Sequence, residues 1–133
     1  MTPELIYLAL TALLVASLWI PYIVGVNVQK DVYAGDFTRP PDVSKFAPWI
    51  HRAYRAHLNA VEQATPFAIL VLVLHSIDQS TSWTVWACAA FFWLRVAHAV
   101  GMISGFAGFP LRPIIFTSGW VCILVLTWQA LSA

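Results

Sequence analysis

Charge is what this chain has least of. Its 133 residues include 7 Lys or Arg and 6 Asp or Glu, or 10% charged, where an ordinary soluble domain is roughly a quarter charged. That scarcity excludes a conventional water-soluble domain, and a net charge of +1 leaves no basic surface for nucleic acid. Cysteine is nearly absent too. Cys88 and Cys122 stand far apart in separate apolar segments, with no C-x-x-C or metal-ligand spacing, and read as small packing residues. No glycine-rich phosphate loop, internal repeat or low-complexity tract is present.

What fills the chain is apolar: 60% of its residues are hydrophobic. Nearly uncharged stretches of spanning length occur at 5–28, 56–77, 83–104 and 113–131, each close to the roughly 20 residues a helix needs to cross a bilayer. The reading is an all-α integral membrane protein, one four-helix unit over 1–133, with helices at about 5–28, 52–77, 83–104 and 112–131. The first stretch begins with Glu4, has no basic run and stays apolar beyond a signal core, so a retained helix is expected. The connection Asp78 to Ser82 is a short polar turn that favours antiparallel neighbours. Between the first two spans, Gly35, Pro40, Pro41 and Pro48 fit an ordered loop. Gly101 and Gly105 form one G-x-x-x-G, which suits either close helix packing or a helix stop.

The few cations are unevenly spread. Lys30, Arg39, Lys45, Arg52 and Arg55 lie between the first span and the start of the second, and Arg112 between the third and fourth. The positive-inside rule then places these loops in the cytoplasm and both termini outside. Trp83 and Trp86 fit an outer interfacial belt and Trp49 an inner one.

Polar groups inside the spans carry the functional signal. At about 100° per residue, Arg55, Asn59, Glu62 and Pro66 share one face of the second span, with Arg52 at its edge. The third span carries Arg95, His98 and Met102 on one face. Glu62 lies roughly 10 Å beyond Arg55, and Arg95 lies at a similar depth on the antiparallel span. An ion pair between them is expected, because a lone charge at mid-membrane costs at least about 2.5 kcal/mol. That pair alone would be a structural lock on helix register. Arg52, Arg55, Asn59, His98 and Arg112 then add more positive groups than Glu62 satisfies, which points to a small polycarboxylate in a cytoplasm-facing hollow. No two helices present histidines at equal depth, which argues against haem, and no metal site is expected.

At these residues the sequence resembles the MAPEG family, the membrane-associated proteins of eicosanoid and glutathione metabolism, in its bacterial-type members. The match is RAHLNAVEQATPF (55–67), supported by RVAH (95–98) and LRPIIF (111–116), in the family's order along the chain. The resemblance implies an antiparallel four-helix bundle assembled as a homotrimer in a bacterial inner membrane, with glutathione bound between subunits on the cytoplasmic side. It implies that Arg55, Asn59 and Glu62 contact glutathione, that His98 joins them, and that Arg112 lies nearest the sulfur as the catalytic cation. The resemblance adds Lys30 across the subunit boundary, and the polar faces of the second and third spans add Arg52 and Arg95 to the expected glutathione-binding set. The implied partners are glutathione, a lipophilic substrate or lipid, and membrane lipids.

The departures are as specific as the matches. Leu58 stands where the prostaglandin synthase branch has an arginine, Met102 where a tyrosine is expected, and Pro113 and Phe116 where serine and tyrosine are expected. Three readings stay open. One is a glutathione S-transferase or peroxidase acting on lipophilic electrophiles. Another is a non-catalytic MAPEG-like scaffold for a lipid or partner. The third is a small proton-coupled exporter, disfavoured because Arg95 at matching depth would hold Glu62 ionised.

Overall fold

The computed structural model describes residues 1–29, 42–106 and 108–133. Regular structure among them is entirely helical: α1 (Pro3–Ser17), α2 (Trp19–Val28), a single 3-10 turn (Val43–Lys45), α3 (Pro48–Ser76), α4 (Ser82–Ser104) and α5 (Leu111–Leu131). Among the described residues, four helical segments are long and apolar enough to cross a membrane: Pro3–Val28, Pro48–Ser76, Ser82–Ser104 and Leu111–Leu131.

Prolines and caps set where these helices begin and break. The first span was expected as one helix, yet its ladder is interrupted at Leu18, whose amide is shared between the carbonyls of Leu14 at 3.1 Å and Val15 at 3.3 Å. Pro21 supplies the cause, because it has no N–H for the carbonyl of Ser17 four residues earlier. Pro48 opens α3 at its first turn, where a missing N–H does no harm. The helix therefore starts four residues before Arg52. Pro66 lies inside α3 and leaves the carbonyl of Glu62 without its helical partner. The Thr65 hydroxyl donates to the carbonyl of Val61 at 2.9 Å, not to the one that Pro66 frees. At the start of α4, Thr81 and Thr84 form a reciprocal capping box. At its end Gly105 adopts φ 86°, so this glycine serves as a helix stop.

The bundle is antiparallel. At one end the start of α1 meets the α3–α4 turn, where Glu4 accepts from Ser80 and Thr84, and Thr81 donates to Gln129 near the end of α5 at 2.9 Å. At the other end Val26 of α2 packs with Ile50 of α3, and Arg52 reaches the last carbonyls of α4. Between them lies the main core of Phe67, Val71, Leu74, Cys88, Phe91, Cys122 and Leu126. Phe67 and Phe91 stack with centroids 4.1 Å apart, and both cysteines are buried free thiols. Just before α3, Ser44 donates to Asp42 from its hydroxyl at 2.6 Å and its amide at 3.1 Å. Those bonds, with Lys45 beside them, hold the Asp42 carboxyl below its usual range.

The outer surface is apolar. Trp83, Trp86, Trp93, Trp120 and Trp128 are all exposed, among leucines and valines that would be buried in a water-soluble bundle. Such a surface needs lipid or another copy of the chain against it.

Candidate functional site

Arg95 organises the interior. It is only 1% exposed. Its Nη2 donates to the carbonyl of Ile115 on α5 at 3.2 Å, and the guanidinium carbon lies 5.5 Å from the centre of the Phe91 ring. Its Nε and Nη1 are buried without a hydrogen-bond partner. The space it occupies exists because residue 119 is glycine. A Cβ there would come 2.6 Å from Arg95 Nη2 and 2.8 Å from Gln63 Oε1. Gly119 thus lets side chains from α3 and α4 meet against the backbone of α5.

The expected ion pair between Arg95 and Glu62 is not formed. Glu62 is exposed on α3, while Arg95 is enclosed on the other side of that helix with Gln63 as its neighbour. Among the described residues the one ion pair is Lys45 with Asp42, at 3.8 Å. Depth was matched correctly, but rotation was not: neighbouring helix positions differ by about 100°, enough to turn Gln63 inward and Glu62 outward. The signal for Gln63 was in the sequence. It continues the line Ala53, Ala56, Ala60, Phe67, Val71 and Leu74, which is the buried face of α3.

The polar stripe of α3 therefore divides. Asn59 and Gln63, one turn apart, are buried, and Asn59 Nδ2 and Gln63 Oε1 lack partners. Arg55 and Glu62, two turns apart, are exposed. On α4, His98 lies one turn from Arg95, 2% exposed, with Nε2 unpartnered. Four buried side chains from two helices, Asn59, Gln63, Arg95 and His98, thus carry unmet hydrogen-bonding capacity. Buried polar groups are normally satisfied. A cluster of this kind is set for a ligand or for water.

Arg112, half-buried at the first turn of α5, extends this layer outward. It lines a groove of about 290 Å³ with Asn59, Pro113, Phe116 and Thr117. Met102 is buried against Ala56 and Ile103, away from this groove. Thr117, which no motif singles out, brings a hydroxyl to this groove. The hydroxyls of Thr11, Thr65 and Thr127 are bonded to the carbonyl one turn earlier, whereas that of Thr117 makes no hydrogen bond among the described residues.

Arg52 has a different task. Its Nε donates to the carbonyl of Met102 at 3.0 Å and its Nη2 to that of Ile103 at 3.5 Å. A cation there adds to the Gly105 amide, which also donates to the Met102 carbonyl at 3.2 Å, and faces the negative end of the helix dipole. Arg55 carries no such bond. Lys30 lies outside the described residues.

A comparison with curated proteins returns no match. The profile of the MAPEG family matches residues 6–132, nearly the whole chain, including the first span from Ile6, the other three spans and all the residues of the buried polar layer. With four membrane-capable helices and that match, the chain belongs to the MAPEG family of integral membrane proteins.

Proposed function

We propose that this protein binds glutathione within the membrane and uses it as a glutathione S-transferase or peroxidase on lipophilic electrophiles. The observation that carries this reading is Arg95, a buried guanidinium with two unpartnered donor nitrogens and, among the described residues, no carboxylate paired with it. Leaving such a charge unpaired is costly. A carboxylate-bearing ligand would supply its counter-charge, and glutathione has two carboxylates. Asn59, Gln63 and His98 offer donors and acceptors for its amides and ammonium.

Within the groove, Arg112 is the cation that favours the thiolate form of the bound thiol, the reactive nucleophile. Thr117 adds the hydroxyl that Pro113 and Phe116 do not provide. A thiolate accepting from Thr117 and facing Arg112 would attack an electrophile entering from the apolar outer surface of the bundle. The new bond joins sulfur to the electrophilic carbon, and the displaced group leaves with the electron pair.

The working form in this proposal is a homotrimer with its site facing the cytoplasm and both termini outside. Exposed Arg55 and Glu62 support it, since charges on the flank of a spanning helix need a partner other than lipid. A neighbouring subunit would cover them and bring them to the ligand. Purified protein tested by calorimetry with glutathione, and by turnover of a chromogenic electrophile, checks the reading. Glutathione binding with turnover that Arg112→Ala removes is the expected result. Absence of both would refute it.

A second reading, a non-catalytic scaffold for a lipid or partner, is favoured by one feature: Pro113 and Phe116 present no hydroxyl to the groove. Tight glutathione binding without turnover would select it.

A further inference from the structure

At the opposite end of the bundle from Arg52, a second buried charge has no counter-ion. Glu4, in the first turn of α1, is 5% exposed. Its Oε1 accepts from the hydroxyls of Ser80 and Thr84, both at 2.6 Å. That length is typical of a hydroxyl bonded to an ionised carboxylate. The N-terminal ends of α1 and α4 lie beside this oxygen. Its other oxygen, Oε2, is buried and has no hydrogen-bond partner.

Glu4 borders a cavity of about 90 Å³, together with Thr2, His75, Asp78, Gln79 and Ser80. Neither His75 nor the amino group of Met1 forms an ion pair with it, and among the described residues no Lys or Arg lines the space. The wall includes Leu74 and His75 in the last turn of α3, whose carbonyl end is negative. Charge in this cavity is thus of one sign.

We propose that the Glu4 cavity is a binding site for a small monovalent cation, sodium or potassium, held by the Glu4 carboxylate and neutral oxygens of the α1 start and the α3–α4 turn. Size and donors define the class. The volume equals roughly three water molecules, enough for an alkali ion with a residual water and too little for a bulky organic cation. Among the described residues no group of three or more His, Cys, Asp and Glu comes together, so the charge density that divalent ions demand is missing. Oxygen donors with one buried carboxylate, Glu4, and the exposed Asp78 at the rim suit an alkali ion. Bound there, the ion ties the first turn of α1 to the α3–α4 turn.

The test uses the full chain in detergent. Thermal unfolding is followed in sodium, potassium or N-methylglucammonium chloride at equal ionic strength, the last being too large for the cavity. The expected result is a saturable rise of about 5 °C at tenfold excess of the preferred alkali ion over its Kd, absent with N-methylglucammonium. Which of the two small ions gives it identifies the occupant. Glu4→Gln keeps an acceptor for Ser80 and Thr84 but removes the charge, and should abolish the rise. Equilibrium binding of radiosodium and radiorubidium to the unaltered protein gives a second readout that does not depend on the variant folding; one saturable site per chain is expected. Equal unfolding temperatures in all three salts, no retained ion, or an undiminished rise in folded Glu4→Gln would each overturn the proposal and leave a cavity holding water alone.

Discussion

Arg95 and Gly119 are fitted to one another: the guanidinium of the first lies 2.6 Å from where the second would carry a Cβ. That guanidinium is held by the Ile115 carbonyl and the Phe91 ring, so it has little freedom to retreat. Gly119→Ala should therefore push Arg95 and Gln63 apart and cost about 1–3 kcal/mol, the usual range for overpacking a filled interior. Thermal or denaturant unfolding in detergent measures it. A variant as stable as the parent would show that the interior yields more readily than these contacts imply.

Arg95→Met separates stability from binding. An apolar side chain of similar length removes the desolvation cost of a buried charge that has no counter-ion among the described residues, a cost of several kcal/mol. The ligand-free variant should unfold at the same or a higher temperature than the parent, while its affinity for glutathione falls at least about tenfold. If unfolding instead moves to much lower temperature, Arg95 is a structural group whose partners are already complete.

Glu62→Gln should leave the helical content and the packing of each subunit untouched, because the carboxylate is exposed and bears no internal bond. Its effect is expected on assembly and ligand affinity. Light scattering after size exclusion and calorimetry with glutathione check both, and full retention of both would remove Glu62 from the subunit boundary and from the site.

Thr117→Val tests the groove hydroxyl without changing its size. Losing a donor to the thiolate raises the pKa of bound glutathione, so the rate profile of conjugation should move to higher pH. A loss of about tenfold in kcat near neutrality, with Kd for glutathione little altered, is the scale of one lost hydrogen bond. An unchanged profile would assign thiolate stabilisation to Arg112 alone.

Local pattern fixed much of the architecture. Four apolar runs of spanning length, separated by Asp78–Ser82, by the glycines and proline of 105–110, and by the prolines before Trp49, could form little else than four spanning helices, because backbone groups in a membrane must be paired within the segment. Motif order along the chain also pointed to the MAPEG family, and the matched profile over 6–132 shows it. Prolines could be read as breaks, though the consequence of Pro21 at Leu18 became visible only in the backbone ladder.

Rotation of each helix about its own axis was decided by the tertiary structure alone. Periodicity grouped Arg55, Asn59 and Glu62 on one face, but the boundary between interior and exterior runs through that group. Where it falls depends on how α4 and α5 pack against α3, which no single helix encodes. Gly119 provided the room that drew Arg95 toward Gln63 rather than Glu62. In the same way Arg52 was claimed by the end of α4, and Glu4 by the hydroxyls of a turn about 80 positions away in the chain. Charge and depth are properties of a sequence segment, whereas the choice among partners is settled by which side chains the packed helices leave within a few ångströms.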